Sequence, residues 1–497
     1  MPVIAISAGE WLAIITHVKR SMGCGRPRAK FRTQRLFSEK AMDAYDVVIV
    51  GAGTAGQTAA YELSADGLSV AVVEKSDRPG GICALAGCQA KKWFYEVTET
   101  MAKSRHLLGK GIAAAPEADW SAILEQKNRF TAKVPEGTVK GFKKAGIDFL
   151  AGAAKFKDDR TLVVGGREIR PRFCILATGA APMTLPITGA EHIATSDDFL
   201  DLNTLPGRIL FVGGGFISFE FAHFAARLGP QERRILILEV ADRPLGPFDA
   251  EMVDLLVEAS AVEGIGLLTG VEIQSVAPKG AGFVVATAAD GVFEVDLVVN
   301  GAGRVPQLEG LDLEAAGITH SRKGIAVDAG MQTANPRVFA VGDCAASIQL
   351  ARVADYEAHV AARNILAALG RGAAATIDYG AVPALLFTYP QYGMLGQTEA
   401  ALKDKKIPYR KSFGKHLGWP TYTRVGMTHA AYKILVGADK KILGAHILSD
   451  NAAGPINTLR LAMHHGTPAD ALYWQSIMSP YPSRESDLIY MLKPFLD

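Results

Sequence analysis

Short runs of consecutive apolar, mostly β-branched residues, each closed by glycines or by an acid, are the clearest pattern along the chain. Tyr45-Asp46-Val47-Val48-Ile49-Val50 leads into Gly51-Ala52-Gly53-Thr54-Ala55-Gly56, and Gln57 to Ala65 then carries helical periodicity. The next run, Leu68-Ser69-Val70-Ala71-Val72-Val73, ends at Glu74. The same order recurs downstream. Arg208-Ile209-Leu210-Phe211-Val212 feeds Gly213-Gly214-Gly215-Phe216-Ile217-Ser218, a helix is expected from Phe219 to about Leu228, and Ile235-Leu236-Ile237-Leu238 ends at Glu239. Two strand–turn–helix–strand units predict an α/β chain.

Each glycine turn has the chemistry of a dinucleotide site. Gly51 permits a tight turn, Gly53 lets a pyrophosphate approach the backbone, and Gly56 lets helix meet strand, while the helix N-terminus at Thr54 and Ala55 faces the phosphates. Glu74, followed by Lys75, stands where a ribose is bound. In the second unit Gly213, Gly215, Phe216 and Ile217 hold the matching places, and Ser218 replaces the third glycine with another small residue. Glu239 would bond a free ribose and repel a 2′-phosphate, which favours NADH over NADPH; Arg243 and the Arg233-Arg234 pair soften that preference.

Close behind the first unit lies Gly80-Gly81-Ile82-Cys83-Ala84-Leu85-Ala86-Gly87-Cys88. Two thiols beside a redox cofactor form a candidate dithiol/disulfide. On a regular helix, residues five apart sit about 140° around and about 7.5 Å along the axis, whereas bridged cysteines need Cα atoms within about 7 Å. A disulfide here therefore requires a loop or a distorted first turn, which Gly87 makes feasible. The bland alternative is two unrelated buried thiols.

Two dinucleotide units and one dithiol resemble the plan of the pyridine nucleotide-disulfide oxidoreductases, from about residue 43 to the C-terminus. Further motifs carry the resemblance: Ile175-Leu176-Ala177-Thr178-Gly179, Gly301-Ala302-Gly303-Arg304-Val305-Pro306, Thr333 to Gly342-Asp343, and Phe387-Thr388-Tyr389-Pro390 with Gly396-Gln397-Thr398-Glu399. It implies two Rossmann-like domains, for FAD and NAD, plus a C-terminal α+β dimerisation domain. The expected partition is a leader over 1–42, the FAD domain over 43–195 and 320–375, the NAD domain over 196–319, and the dimerisation domain over 376–497. It also implies that Thr178, Gly179, Gly81, Gly303, Arg304, Gly342 and Asp343 serve the cofactors. Cys88 becomes the thiol nearest the flavin and Cys83 the one that meets substrate. Lys92, four residues past Cys88, matches the family lysine that touches both, and Glu220 matches its ion-pair partner. A homodimer is implied through Gly444-Ala445-His446-Ile447 and the helix after Asn451.

The resemblance weakens in two places. Gln89-Ala90-Lys91 replaces the usual Ile-Pro-Ser, and Ser479-Pro480-Tyr481-Pro482-Ser483-Arg484-Glu485-Ser486-Asp487 stands where the family's disulfide reductases carry a His-Glu pair. Aligned without a gap, Tyr481 takes the histidine's place and Ser486 the glutamate's. A phenol with a reference pKa of about 10 is a poor base at neutral pH. That departure counts against an efficient dihydrolipoamide dehydrogenase or glutathione reductase. Mercuric reductases share a Tyr near here but carry a terminal cysteine pair, and flavoprotein transhydrogenases lack the dithiol. His464 and His465, in an apparent helix, read as surface residues, and Arg352 and Arg484 are candidates for attracting an anionic substrate.

Composition narrows the setting. The 497 residues, 49% apolar, can bury several cores, and 53 basic against 51 acidic residues point to neither nucleic acid nor an anionic membrane. No run reaches the roughly 18 apolar residues of a membrane span. Five cysteines do not suggest a secreted disulfide scaffold. Cys24, Cys174 and Cys344 are scattered, with Cys174 expected in the core. A reducing, cytoplasmic setting follows. Lys19 to Lys40 is basic and poor in acids, so a mitochondrial transit peptide cut near Arg35-Leu36-Phe37-Ser38 is the alternative; a disordered leader or an upstream start codon before Met42 is the plainer reading. The leading expectation is an FAD-dependent, NADH-preferring homodimer with an active Cys83-Cys88 couple and a small-molecule or protein disulfide as acceptor. A diaphorase or transhydrogenase working directly from flavin, and a weakly catalytic redox-responsive binding protein, are the alternatives.

Overall fold

The computed structural model describes residues 45–497 apart from Gln231 and Asp290. The expected leader over 1–42, the alternative of a transit peptide, and Cys24 lie outside the described residues.

The Val47–Val50 strand is central in a five-stranded parallel sheet ordered Val338–Ala340, Phe173–Leu176, Val47–Val50, Val70–Glu74, Asp148–Ala151. All four of its residues are buried, as in a strand covered on both faces, which is why the run is continuously apolar rather than alternating. The outermost strand, Val338–Ala340, arrives only after the chain has left this sheet and come back. It leaves along Ala180–Pro182 and returns along Arg304–Pro306, and these two segments pair antiparallel. Between exit and return lies a second parallel sheet, ordered Ile265–Thr269, Arg234–Glu239, Arg208–Val212, Leu297–Asn300. A three-stranded antiparallel piece, Ile273–Lys279, Gly282–Thr287 and Val292–Val295, accompanies it.

Both glycine-turn helices begin three residues earlier than periodicity suggests, at Thr54 and Phe216. Thr54-Ala55-Gly56 carries no large apolar residue, and in Phe216-Ile217-Ser218 one apolar side chain is exposed and the next buried, so neither first turn shows an apolar stripe of its own. Gly56 and Gly301 show why small residues are needed. A Cβ on Gly56 would collide with Gly51 O, and one on Gly301 with the Ser218 hydroxyl, so each helix start lies directly on backbone. Cys174 and Cys344 are core residues of the first unit.

The C-terminal part is a five-stranded antiparallel sheet, Pro383–Leu386, Gln391–Gly396, Ile442–Ser449, Ala431–Val436, Arg410–Gly414, followed by the helices Ala453–His464 and Ala469–Ser476. Gly444 to Ile447 sits inside its middle strand with His446 fully buried, so that segment cannot itself present a face to a second subunit. The expectation that it does is corrected: its hydrophobic pattern is that of an interior strand. Lys433 fastens this sheet to the helix Ala250–Val262 through Asp249 (2.7 Å) and Glu251 (2.8 Å), and it also pairs with Glu399, just past the Gln391–Gly396 strand, at 3.0 Å. Among the described residues no helix is long and apolar enough to cross a membrane.

Candidate active site

The dithiol lies where two helices meet. Gly81–Leu85 ends at Ala86, and Cys88 opens the helix Cys88–His106. The longer helix is fixed by one buried stripe, Ala90, Phe94, Tyr95, Thr98, Met101 and Ala102, and its last turn carries the cations Lys103 and Arg105, favourable at a helix C-terminus. The break at Gly87 folds the chain back on itself. A Cβ there would stand 2.9 Å from Ile82 O and 3.4 Å from Cys83 Cα. The expected distortion is thus an interruption between two helices, and it brings the thiols into contact, the Cys83 S–H donating to Cys88.

That contact polarises the pair. The hydrogen bond from Cys83 and the charge of Lys91, against the effect of burial, bring Cys88 down to about 6. Cys83 is pushed up, first by that same hydrogen bond and then by burial, with Asp355 adding to the rise and the Thr54 hydroxyl opposing it. The two titrate as a unit, with Cys88 the thiolate and Cys83 the thiol.

The cation beside Cys88 is not the one the motif pointed to. Lys91 Nζ donates to Glu220 Oε2 at 2.5 Å, with Glu220 almost wholly buried. Lys92 does not pair with Glu220. Its ammonium sits over the rings of Phe387 (2.7 Å to the centroid) and Tyr95 (4.3 Å), where burial first and Lys91 second lower it to about 8. The ion-pair partner assigned from the motif is therefore corrected from Lys92 to Lys91. Positions three and four past Cys88 are both on the helix face above it, so spacing alone could not choose between them.

The two glycine turns share one geometry. Glu74 Oε2 accepts from Ala52 N at 2.9 Å and its Oε1 from Ser76 N at 2.8 Å. Glu239 likewise accepts from Gly214 N, and from Ala241 N at 2.8 Å. Each acid thus holds the middle of its own glycine turn. Neither helix has a side-chain cap, the cap residues being Gly53 and Gly215, so first-turn N–H groups remain for a ligand. Gly81, at φ 75°, approaches Gly53 so closely that a Cβ would collide with it. Uncapped helix starts behind Cβ-free turns, each with a strand-end acid, fit two dinucleotides, and the first lies beside the dithiol. Phe216, half exposed, has its ring 5.8 Å from Lys91 Nζ. Ile217 is buried and Lys75 exposed.

The return segments are also held. Thr178 Oγ1 donates to Gln307 O at 2.7 Å, Gln307 N donates to Gly179 O at 2.9 Å, and Met183 N to Gly303 O at 3.1 Å. Arg304 Nη2 donates to Ala180 O at 2.7 Å. Gly342 N donates to the buried Glu357 at 2.6 Å, and burial raises the neighbouring Asp343 against the pull of Arg304.

The C-terminal segment divides. Tyr481 is 76% exposed, whereas the polar residues after it turn inward. Arg484 makes a two-pronged pair with Asp450 (2.6 and 2.8 Å), its guanidinium 4.0 Å from the Tyr422 ring centroid. A substrate role for Arg484 is thereby corrected: it is a buried structural cation. Asp487 accepts from Thr421 Oγ1 at 2.6 Å, and Ser486 donates to Ser483 O at 2.7 Å. Arg352 is almost wholly exposed, paired at 2.8 Å with Asp355, which also accepts from Thr58 Oγ1 at 3.1 Å. His464 and His465 lie exposed at a helix end.

Residues 45–358 match the pyridine nucleotide-disulphide oxidoreductase family, and residues 382–487 match its dimerisation domain. The chain belongs to this family. Similar relatives are a mercuric reductase of Staphylococcus aureus (30% identical, spanning 86% of this chain and 78% of the relative) and a glutathione reductase of Burkholderia cepacia (30%, 86% and 94%). A dihydrolipoyl dehydrogenase of Bacillus subtilis is 33% identical over 71% of this chain and 77% of its own length. Among solved structures, the HOCl-induced flavoprotein disulfide reductase RclA of Escherichia coli shares the fold, with a TM-score of 0.81 at 24% identity, covering 90% of this chain and 99% of that one. The protein is an FAD-dependent oxidoreductase using a pyridine nucleotide, with a dimerisation domain of the family's type.

Proposed function

We propose that this flavoenzyme takes electrons from NADH and delivers them through the Cys83–Cys88 couple to a disulfide-type acceptor, acting as a homodimer. The observation that carries the reading is the polarised thiol pair beside the buried Lys91–Glu220 ion pair. Bound nicotinamide and flavin supply hydride and electron transfer. The chain's own residues do the rest. Lys91 stabilises the Cys88 thiolate when the disulfide opens, and Glu220 fixes the lysine. Cys83, once deprotonated, attacks one acceptor sulfur, forming a mixed disulfide and releasing the first thiol. Cys88 then attacks Cys83, restoring the disulfide and releasing the second thiol. Two electrons enter from NADH and leave as two S–H bonds, the second proton coming from solvent.

Glu74 and Glu239 would bind the riboses, the latter favouring NADH; comparing kcat/KM for NADH and NADPH tests that preference. Tyr481 of the partner subunit would meet the leaving thiol, and the reducing compartment is taken to be cytoplasmic. Replacing Cys83 by Ser should abolish disulfide reduction while sparing dye reduction; unchanged disulfide reduction would sink the dithiol route. A second reading, direct transfer to a quinone, dye or second nicotinamide, draws support from Tyr481. Arg484 and Asp487 turn into their own core, and the segment carries Tyr481 and Ser486 where the resemblance places the family's His-Glu pair. This reading expects fast dye reduction that survives loss of both thiols.

A further inference from the structure

The helix Phe216–Leu228 buries three ionisable side chains on one face, Glu220, His223 and Arg227, at helical spacings of three and four. All are at most 2% exposed, among Phe219, Phe221 and Phe224, where apolar side chains would pack at no electrostatic cost. Each has one partner on the same short stretch of chain. Phe387 N donates to Glu220 Oε1 at 2.9 Å, Tyr389 N donates to His223 Nδ1 at 3.3 Å, and Arg227 Nη2 donates to Tyr389 O at 2.9 Å. One helix face thus holds the backbone of 387–389 at three points. The held segment carries the Phe387 ring, which lies beneath the ammonium groups of Lys91 (5.3 Å) and Lys92 (2.7 Å).

The state of His223 follows from its bonds. Arg227 Nη1, at 2.7 Å, and Tyr389 N both present hydrogens to Nδ1, so that nitrogen carries the lone pair. Nε2 then holds the proton and donates to Ser260 Oγ at 3.0 Å, whose own hydrogen goes to Leu256 O at 2.7 Å. Burial first and Arg227 second keep the imidazole well below its ordinary pKa. Facing this network are Glu263, 2.9 Å from Arg227 Nη2, and, on the dithiol helix, Lys91, Lys92, Arg105 and His106.

We infer that His223 and Arg227 are positioning residues for the redox centre. They hold the Phe387–Tyr389 segment so that its ring and amide fix the Lys91–Glu220 pair against Cys88. The inference rests on the dithiol reading above.

The test compares His223→Leu, which has no acceptor, with His223→Asn, whose Oδ1 can stand in for Nδ1. Both lose the bond to Ser260, so both should unfold at lower temperature. The holoenzyme is reduced by two electrons without oxygen, and the pH midpoint of its long-wavelength thiolate-to-flavin absorbance is read. The Leu variant should move the midpoint up by about half a unit or more, since a nearby cation is worth about one to three units when well placed, while Asn stays near the parent. Equal shifts in both variants, or a folded Leu variant with the parental midpoint, would overturn the inference. If the Leu variant does not fold, Arg227→Lys serves, since it keeps the charge without the fork; it should raise the midpoint, and a parental midpoint would count against the proposal. A parent enzyme lacking the band would instead defeat the dithiol reading itself.

Discussion

Replacing Lys91 by Gln tests which lysine governs the thiolate. The substitution keeps a polar, hydrogen-bonding side chain one atom shorter and removes one charge from beside Cys88, whose low value of about 6 rests partly on that charge. An opposite charge in contact shifts an ionisable group by about one to three units. Lys91 divides its field with Glu220 and is 15% exposed, so the lower figure applies. The midpoint of the thiolate-to-flavin absorbance should rise by about one unit, a tenfold loss of thiolate at a given pH. Glu220→Gln should move it the other way, because the lysine's charge is then left to the thiolate alone. Removing Lys91 also strands a buried carboxylate whose remaining donor is Phe387 N, costing about 3 kcal/mol, visible as a lower Tm. Lys92→Gln should leave the midpoint nearly unchanged, since that ammonium rests on aromatic rings. If Lys92→Gln gives the unit shift and Lys91→Gln does not, the assignment of the two lysines is reversed.

Gly87→Ala brings a Cβ to 2.9 Å from Ile82 O, at the break that lets the thiols meet, so its disulfide should form more slowly, measured by thiol counting during air oxidation. Arg484→Gln leaves Asp450 buried without its cation and should cost about 3 kcal/mol in thermal unfolding while KM for any acceptor stays put. At Asp249 and Glu399 burial acts upward, but bonds from Lys433, and at Glu399 first those from Tyr409 and Lys403, win and hold both below the usual carboxylate range. Stability from such depressed groups is complete above their unfolded values of about 4 and is lost as pH falls below them. Lys433→Met should therefore be less stable at pH 7 and show a shallower loss of stability in acid, followed by circular dichroism.

The strands and both nucleotide turns were legible in the sequence because their determinants are local: an apolar run, a glycine triplet and an acid within thirty or so residues. The dithiol was legible for the same reason, down to the need for a break at Gly87. What escaped was set by distant partners. Nothing near Lys91 or Lys92 says which meets Glu220, some 130 positions on, and a helix face of Glu220, His223 and Arg227 reads as ordinary until residues 387–389 are laid along it. Arg484 read as a candidate for attracting an anionic substrate because its counterion, Asp450, lies 34 residues earlier in the chain.

The central claim, that the two thiols stand in the electron path, is tested most directly by titrating the purified enzyme with NADH without oxygen, beside its Cys88→Ser variant, and following visible absorbance. The parent should accept two electrons with its flavin still oxidised and show a long-wavelength thiolate band that the variant lacks. Parallel bleaching of the flavin in both proteins, with no such band in either, would contradict it.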